Sequence, residues 1–244
     1  MWLVGSSKSQ AKRFDVYLGT HAWAVCQEDQ VVIAQDHFVA GQALTTFEAW
    51  LRQAPARSRL SVYLSGALCR PFMTTAIPTL STEESARALQ SLAGRKTGLP
   101  GPFEVWRSST IGSSPVLAAA IETATLELIR NAVTGAGKKH RLVSLRPLWA
   151  LWLELACEGN NTPASAALVD CDSLTVLVGA DDAVENVVTL APMDNANVAR
   201  EALTRMQLSA DLDLAQTACA QLAIRPSPTA PMRKGLSILL EPMQ

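Results

Sequence analysis

Residues 17–31 read YLGTHAWAVCQEDQV, and residues 170–184 read DCDSLTVLVGADDAV. Laid over one another without a gap, 153 residues apart, the two stretches pair Gly19-Thr20 with Asp172-Ser173 and Glu28-Asp29 with Asp181-Asp182. Turn-forming residues fall on turn-forming residues, and apolar runs on apolar runs. Around the first stretch, residues 14–18, 22–26 and 31–39 have the length and composition of strands, with turns near Gly19-Thr20 and Glu28-Asp29. Around the second, residues 166–171, 173–178 and 184–190 repeat that pattern, with a turn at Ala180-Asp181-Asp182. Two three-strand meanders, each followed by helical sequence, predict an α/β chain built from a duplicated unit.

Between the meanders, Leu44, Phe47 and Leu51 recur at helical spacing within residues 42–53, and residues 60–65 return to strand-like alternation. Ser81-Thr82-Glu83-Glu84, ahead of Ala86, Leu89 and Leu92, is a capping-box pattern: Ser81 and Glu84 can satisfy each other's backbone donors, which predicts a helix over 82–93. Residues 94–102, rich in Gly and Pro, predict a loop, 103–107 a strand, and 116–133 one long helix ended by Gly135-Ala136-Gly137. The basic run Lys138-Lys139-His140-Arg141 complements that helix's negative end without calling for a ligand. A short strand over 142–145 follows, then a helix opened by Pro147 and running to residue 158. Gly159-Asn160-Asn161-Thr162-Pro163 is the strongest interior boundary. After the second meander, helices are predicted over 195–207 and 211–223, and a last strand over 236–240.

A chain of 244 residues, 48% hydrophobic and 18% charged, carries enough apolar material for one large domain or two lobes sharing a core. Lys+Arg of 21 against Asp+Glu of 22 leaves a net charge of -1. That balance lacks the basic excess that drives binding to nucleic acid or anionic lipid. Cys26, Cys69, Cys157, Cys171 and Cys219 are odd in number, have no C-x-x-C spacing and sit among apolar neighbours. They read as small buried hydrophobes rather than a disulfide framework or zinc site. The apolar run Met1 to Gly5 is too short for a signal peptide, and residues 142–157 are interrupted by Arg146, Pro147 and Glu154 and fall short of the roughly 20 residues that cross a bilayer. The expectation is a cytoplasmic protein that reaches a membrane only through a partner.

A duplicated unit that opens with a strand hairpin and continues into helix and strand resembles the actin, sugar kinase and Hsp70 superfamily, in which each hairpin turn carries a phosphate-binding loop of the type Asp-x-Gly-Thr. The corresponding loops here are Tyr17-Leu18-Gly19-Thr20 and Asp170-Cys171-Asp172-Ser173. Ser61-Val62-Tyr63-Leu64-Ser65 leading to Thr75-Ala76-Ile77-Pro78, and Leu145-Arg146-Pro147-Leu148-Trp149-Ala150 before the second hairpin, look closest to the type IV pilus assembly protein PilM and the cytoplasmic domain of the type II secretion protein GspL. The resemblance implies an α/β fold of duplicated actin-like (ribonuclease H-like) lobes, each starting with an antiparallel three-strand meander and flanked by helices. Residues 1–160 would form the first lobe with an inserted subdomain, and residues 161–244 a second, reduced lobe.

The same loops predict a decayed nucleotide cleft. A phosphate loop needs glycine, so that backbone N–H groups can approach the oxygens, and a carboxylate to order Mg²⁺ and its waters. The first loop keeps Gly19 and Thr20 but has Tyr17 where the family has its Asp. The second keeps Asp170 but has Asp172 in place of Gly and Ser173 in place of Thr. Asp172 adds a Cβ and a negative charge toward the phosphates, and at about 4 Å like charges repel by roughly 1 kcal/mol in water and several-fold more in a partly dry cleft. No Gly-Gly dipeptide is present for the family's adenosine-side loop. These five positions, Gly19, Thr20, Asp170, Asp172 and Ser173, are therefore expected to be inactive remnants, with no catalytic residue, no metal and no cofactor, weak Mg·ATP binding being left open.

No other centre emerges. His21 beside the first loop reads as a partly exposed structural residue, and Asp36-His37, adjacent in a strand, point to opposite faces and make no acid-base dyad. There is no Gly-x-Ser-x-Gly elbow, and the pairs Glu83-Glu84 and Asp181-Asp182 suit a helix start and a turn. Trp149 and Trp152, three apart on one helical face, read as core first and as interface second, and Trp23, Trp50 and Trp106 share that ambiguity. The resemblance implies a non-catalytic adaptor of a bacterial pilus or secretion complex. Its partners would be the cytoplasmic tail of a bitopic inner-membrane assembly protein and the assembly ATPase. The chain is shorter than a PilM-type protein and lacks GspL's membrane helix, which leaves a fragment, a split subunit or a divergent PilM open. The competing reading is a working ATP-dependent kinase or ATPase of the same fold.

Overall fold

The computed structural model describes residues 11–28, 30–36, 39–74, 82–107, 116–137, 139–157, 165–180, 183–208, 217–223 and 239–243. In chain order the elements are β1 (Arg13–Leu18), β2 (Ala22–Gln27), β3 (Gln30–Asp36), α1 (Gln42–Gln53), β4 (Arg59–Leu64), β5 (Cys69–Thr74), α2 (Thr82–Thr97), β6 (Phe103–Arg107), β7 (Val116–Glu122), α3 (Thr123–Gly135), β8 (Arg141–Pro147) and α4 (Leu148–Ala156). They continue with β9 (Ser165–Val169), β10 (Leu174–Ala180), β11 (Ala183–Leu190), α5 (Ala196–Leu208), β12 (Thr217–Leu222) and β13 (Leu240–Pro242). The architecture is mixed α/β with several sheets and helices.

The strands form three sheets, ordered β3-β2-β1-β4-β8, β11-β10-β9-β12-β13 and β5-β7-β6. In the first, β1 to β3 form an antiparallel meander, and β4 and β8 are parallel to β1. In the second, β9 to β11 form the meander and β12 is parallel to β9. The two sheets share order and direction through four strands and part at the fifth, where β13 runs antiparallel to β12. The third sheet, with α2, is inserted between β4 and α3.

Register corrects the gapless overlay. Leu18 pairs with Trp23 across the first hairpin, and Val169 with Leu174 across the second, so Leu18 stands where Val169 does and Trp23 where Leu174 does. The spacing between equivalent positions is 151 residues, not 153. The turns agree with it: the Gly19 N–H donates to the Ala22 carbonyl at 2.8 Å, and the Asp170 N–H to the Ser173 carbonyl at 2.9 Å. Gly19 is thus the backbone counterpart of Asp170, not of Asp172.

Two helices of the sequence reading are strands. Residues 116–122, expected to begin one long helix, form β7, with the helix starting at Thr123. Ala119 and Ile121 pack into the main core, while Ala118 and Ala120 pack on the other face against Phe72 and Phe103. A strand buried on both faces shows no polar alternation, and an alanine run then reads as helix. β12 has the same history: Ala218, Ala220 and Leu222 face the main core and Cys219 the other side, and the expected helix over 211–223 is absent from its described part. Helix α2 also runs on through Gly94 to Thr97, so the expected loop starts later. In α1 the buried stripe is Ala43, Phe47 and Leu51, with Leu44 half-buried beside it. Helix α4 ends at Ala156, short of the expected 158, while the capping Ser81, the boundary at 159–163 and most of the last strand lie outside the described residues.

The main core is continuous between the two large sheets. It joins Val16, Leu18, Val62 and Leu64 of the first to Leu168, Leu177 and Leu222 of the second, with Leu148, Trp149 and Trp152 of α4 between. Both α4 tryptophans are buried, and the Trp149 indole N–H donates to the Cys69 carbonyl at 3.0 Å, so they are core rather than exposed interface. α5 covers the outer face of the second sheet through Ala199 and Leu203. His140 is buried, with Nε2 at 3.0 Å from the Leu51 carbonyl in the last turn of α1, rather than at the end of α3. Cys157 is exposed, unlike the buried thiol expected there.

Candidate functional site

The turns after β1 and β9 stand at the carboxyl ends of the parallel pairs β1–β4 and β9–β12, and they touch. Thr20 donates both its backbone N–H, at 2.6 Å, and its hydroxyl, at 2.5 Å, to Asp172 Oδ2. The Ser65 hydroxyl, just past β4, donates to the same oxygen at 3.2 Å. Asp170 is held from three sides: Gly66 N–H donates to Oδ2 at 3.0 Å, and Asp172 N–H and Ser173 N–H donate to Oδ1 at 3.1 and 2.8 Å. Both carboxyl groups are out of solvent, at 1% and 0% exposure.

Such burial is unfavourable for charge unless donors replace the lost water. Burial first, and then the negative charge of Asp172, push the Asp170 carboxyl well above its ordinary range, while the Gly66 and Asp172 N–H groups pull the other way. Burial likewise raises the Tyr17 phenol, so it stays neutral.

Two glycines make the contact possible. A Cβ on Gly66 would stand 2.5 Å from Ser173 Oγ and 2.7 Å from Thr175 Oγ1, closer than real Cβ atoms come. A Cβ on Gly19 would meet the Tyr17 hydroxyl at 2.7 Å and Asp172 Oδ2 at 3.1 Å. The structure therefore gathers all five expected positions, Gly19, Thr20, Asp170, Asp172 and Ser173, in one place. Ser65 and Gly66 join them unannounced. Their only mark in the sequence is a Ser-Gly turn signal after a strand, and what they touch lies more than a hundred residues away. His21 is half-buried beside the site, and His37 and the Asp181-Asp182 turn lie outside the described residues.

The fold's customary ligand, magnesium triphosphate, does not fit these residues. Phosphate oxygens need donors, yet the donors of the first turn are taken by Asp172 Oδ2, and the second turn presents acceptors. Tyr17 is fully buried, with its phenol beside the Asp170–Asp172 turn.

No family model and no curated protein matches the sequence. Solved structures do. The chain is similar to a Bacteroides thetaiotaomicron protein with an actin-like ATPase fold and unknown function, 9% identical, over 91% of this chain and 86% of that one, with a TM-score of 0.54. It is also similar to the cytoplasmic domain of EpsL, an inner-membrane component of the Vibrio cholerae type II secretion system, at 12% identity over 86% and 82% of the two chains and a TM-score of 0.49. A PilM chain from the PilM-PilN type IV pilus biogenesis complex matches at 16% identity over 84% and 67%, with a TM-score of 0.46. By its strand order and by the first of these likenesses, the chain has the actin-like ATPase fold.

Proposed function

We propose that the chain is a non-catalytic adaptor: an actin-like protein of two duplicated lobes, residues 1–160 and 161–244, whose cleft is closed from within by Asp172. The observation that carries this reading is the pair of short hydrogen bonds from Thr20 to Asp172 Oδ2, which use the donors a triphosphate would need. A buried carboxylate with three donors is displaced by a nucleotide only at the loss of those bonds, at roughly 1.5–3 kcal/mol for each hydrogen bond to a charged group. The protein's activity then lies on its surface, in binding rather than turnover.

In this reading it serves a bacterial type IV pilus or type II secretion inner-membrane complex, as the order of the Ser61–Ser65, Thr75–Pro78 and Leu145–Ala150 segments suggests. Its partner is the cytoplasmic tail of a bitopic assembly protein, with the assembly ATPase as a second contact. Among the described residues no helix is long and apolar enough to cross a membrane, and the partner supplies the membrane contact. The test is fluorescence anisotropy with labelled tail peptides of the bitopic proteins encoded beside this chain's gene. Saturable binding to a pilus or secretion component is expected. Neighbouring genes that yield no such component, or ATP turnover by the purified chain, would overturn the proposal, the latter in favour of a kinase or ATPase.

A further inference from the structure

A second polar concavity lies where the inserted sheet meets the second large sheet. Its walls are Arg70 of β5, Lys96 and Thr97 at the end of α2, and Asn186 and Thr189 of β11. Among the described residues no carboxylate lines it.

Arg70 is the informative residue. Its Nη1 donates to the Thr97 carbonyl at 2.6 Å, but its Nε is buried and has no partner among the described residues. Among the described residues no carboxylate lies within 4.0 Å of it, and the other described arginines without one, such as Arg57 and Arg141, are exposed to water. A guanidinium does not lose its proton, so a half-buried one with an idle donor is short of a counter-anion. Burial lowers the Arg70 pKa, and the more distant charges of Glu122 and Asp172 only partly offset that.

The size of the cleft selects the anion. It holds ≈ 60 Å³. On a scale where one water takes roughly 10–15 Å³, that is room for about four to six water-sized groups: one tetrahedral oxyanion, and far less than the ~300 Å³ or more of a nucleotide site. Two cations and the amide and hydroxyl donors of Asn186 and Thr189 suit a doubly charged group better than a carboxylate, and the arginine fork matches phosphate oxygens.

We propose that the Arg70–Lys96 cleft binds a phosphate group, as inorganic phosphate or as the terminal group of a small phosphomonoester. The ligand would bridge the insert and the second sheet, and the assignment does not rest on the adaptor reading.

The test is calorimetric titration of the full chain with inorganic phosphate, glycerol phosphate and acetate at constant ionic strength. Saturable one-to-one binding of phosphate or the monoester is expected, with acetate much weaker. Whichever of the two binds more tightly identifies the source. Arg70→Gln should weaken binding about tenfold or more, as loss of a charge-assisted bond does, and Lys96→Gln several-fold. If Arg70→Gln fails to fold by circular dichroism, Lys96→Gln, on an exposed side chain, and Thr189→Val decide. No saturable binding by either phosphate ligand, acetate binding as tightly, or unchanged affinity in the variants would overturn the proposal.

Discussion

The turn after β1 and the turn after β9 occupy equivalent places in two sheets of like topology, but they have opposite polarity. The first offers donors, the Thr20 N–H and hydroxyl; the second offers acceptors, the carboxyl groups of Asp170 and Asp172. Two donor turns facing each other leave a vacancy that only an anion can fill. A donor turn facing an acceptor turn needs no third party. Asp172 Oδ2, on the two Thr20 donors, joins the turns directly, without altering the sheets that carry them.

The comparison can be broken most severely at Asp172. Asp172→Ala leaves Thr20 and Ser65 without their acceptor in a buried place, and urea denaturation should show a loss of about 2–4 kcal/mol. An unchanged midpoint would mean that the contact is incidental.

Gly66→Ala drives a methyl group into Ser173 and should cost about 1–3 kcal/mol, the usual range for overpacking. Adding Ser173→Ala removes the nearest clash at 2.5 Å and should recover part of that loss, with Thr175 Oγ1 still in the way. Strict additivity of the two substitutions would argue that the turns do not touch.

Thr20→Val removes the hydroxyl donor but keeps the backbone N–H on Asp172 Oδ2, and about 1 kcal/mol should be lost in the same assay.

A subtler difference is in pH. The Asp170 carboxyl is raised in the folded protein, so the folded state binds its proton more tightly than the unfolded chain does. That contribution to stability is complete below the unfolded value of about 4 and declines as pH rises through the folded one. Denaturation midpoints measured from acid to neutral pH should fall by this term, and Asp170→Asn should flatten the profile. A profile that Asp170→Asn leaves unchanged would assign the slope to other groups.

What the sequence reveals of this arrangement follows from which interactions are local. α1 and β4 are legible because their burial follows helical spacing or alternates, as in Ala43, Phe47, Leu51 and in Leu60, Val62, Leu64, and the meanders because short apolar runs are bounded by turn residues. β7 and β12 are not, since alanines packed on both faces erase the alternation that marks a strand. The hairpin register is misread by two residues because the overlay aligns loop chemistry, whereas the sheet aligns backbone pairs such as Leu18 with Trp23. At the site, Gly19, Thr20 and Asp170 are visible as matches to a phosphate-loop pattern, and Asp172 and Ser173 as departures from it. That Asp172 answers Thr20, and that Gly66 answers Asp170, are contacts across 152 and 104 residues, which no local pattern encodes.

The most direct test of the account is calorimetric titration of the full chain with Mg·ATP. With Asp172 Oδ2 on the donors of the first turn, no saturable heat is expected. Saturable micromolar binding that is weakened by Gly19→Ala or Asp170→Asn would contradict the closed cleft and place a working nucleotide site at the two turns.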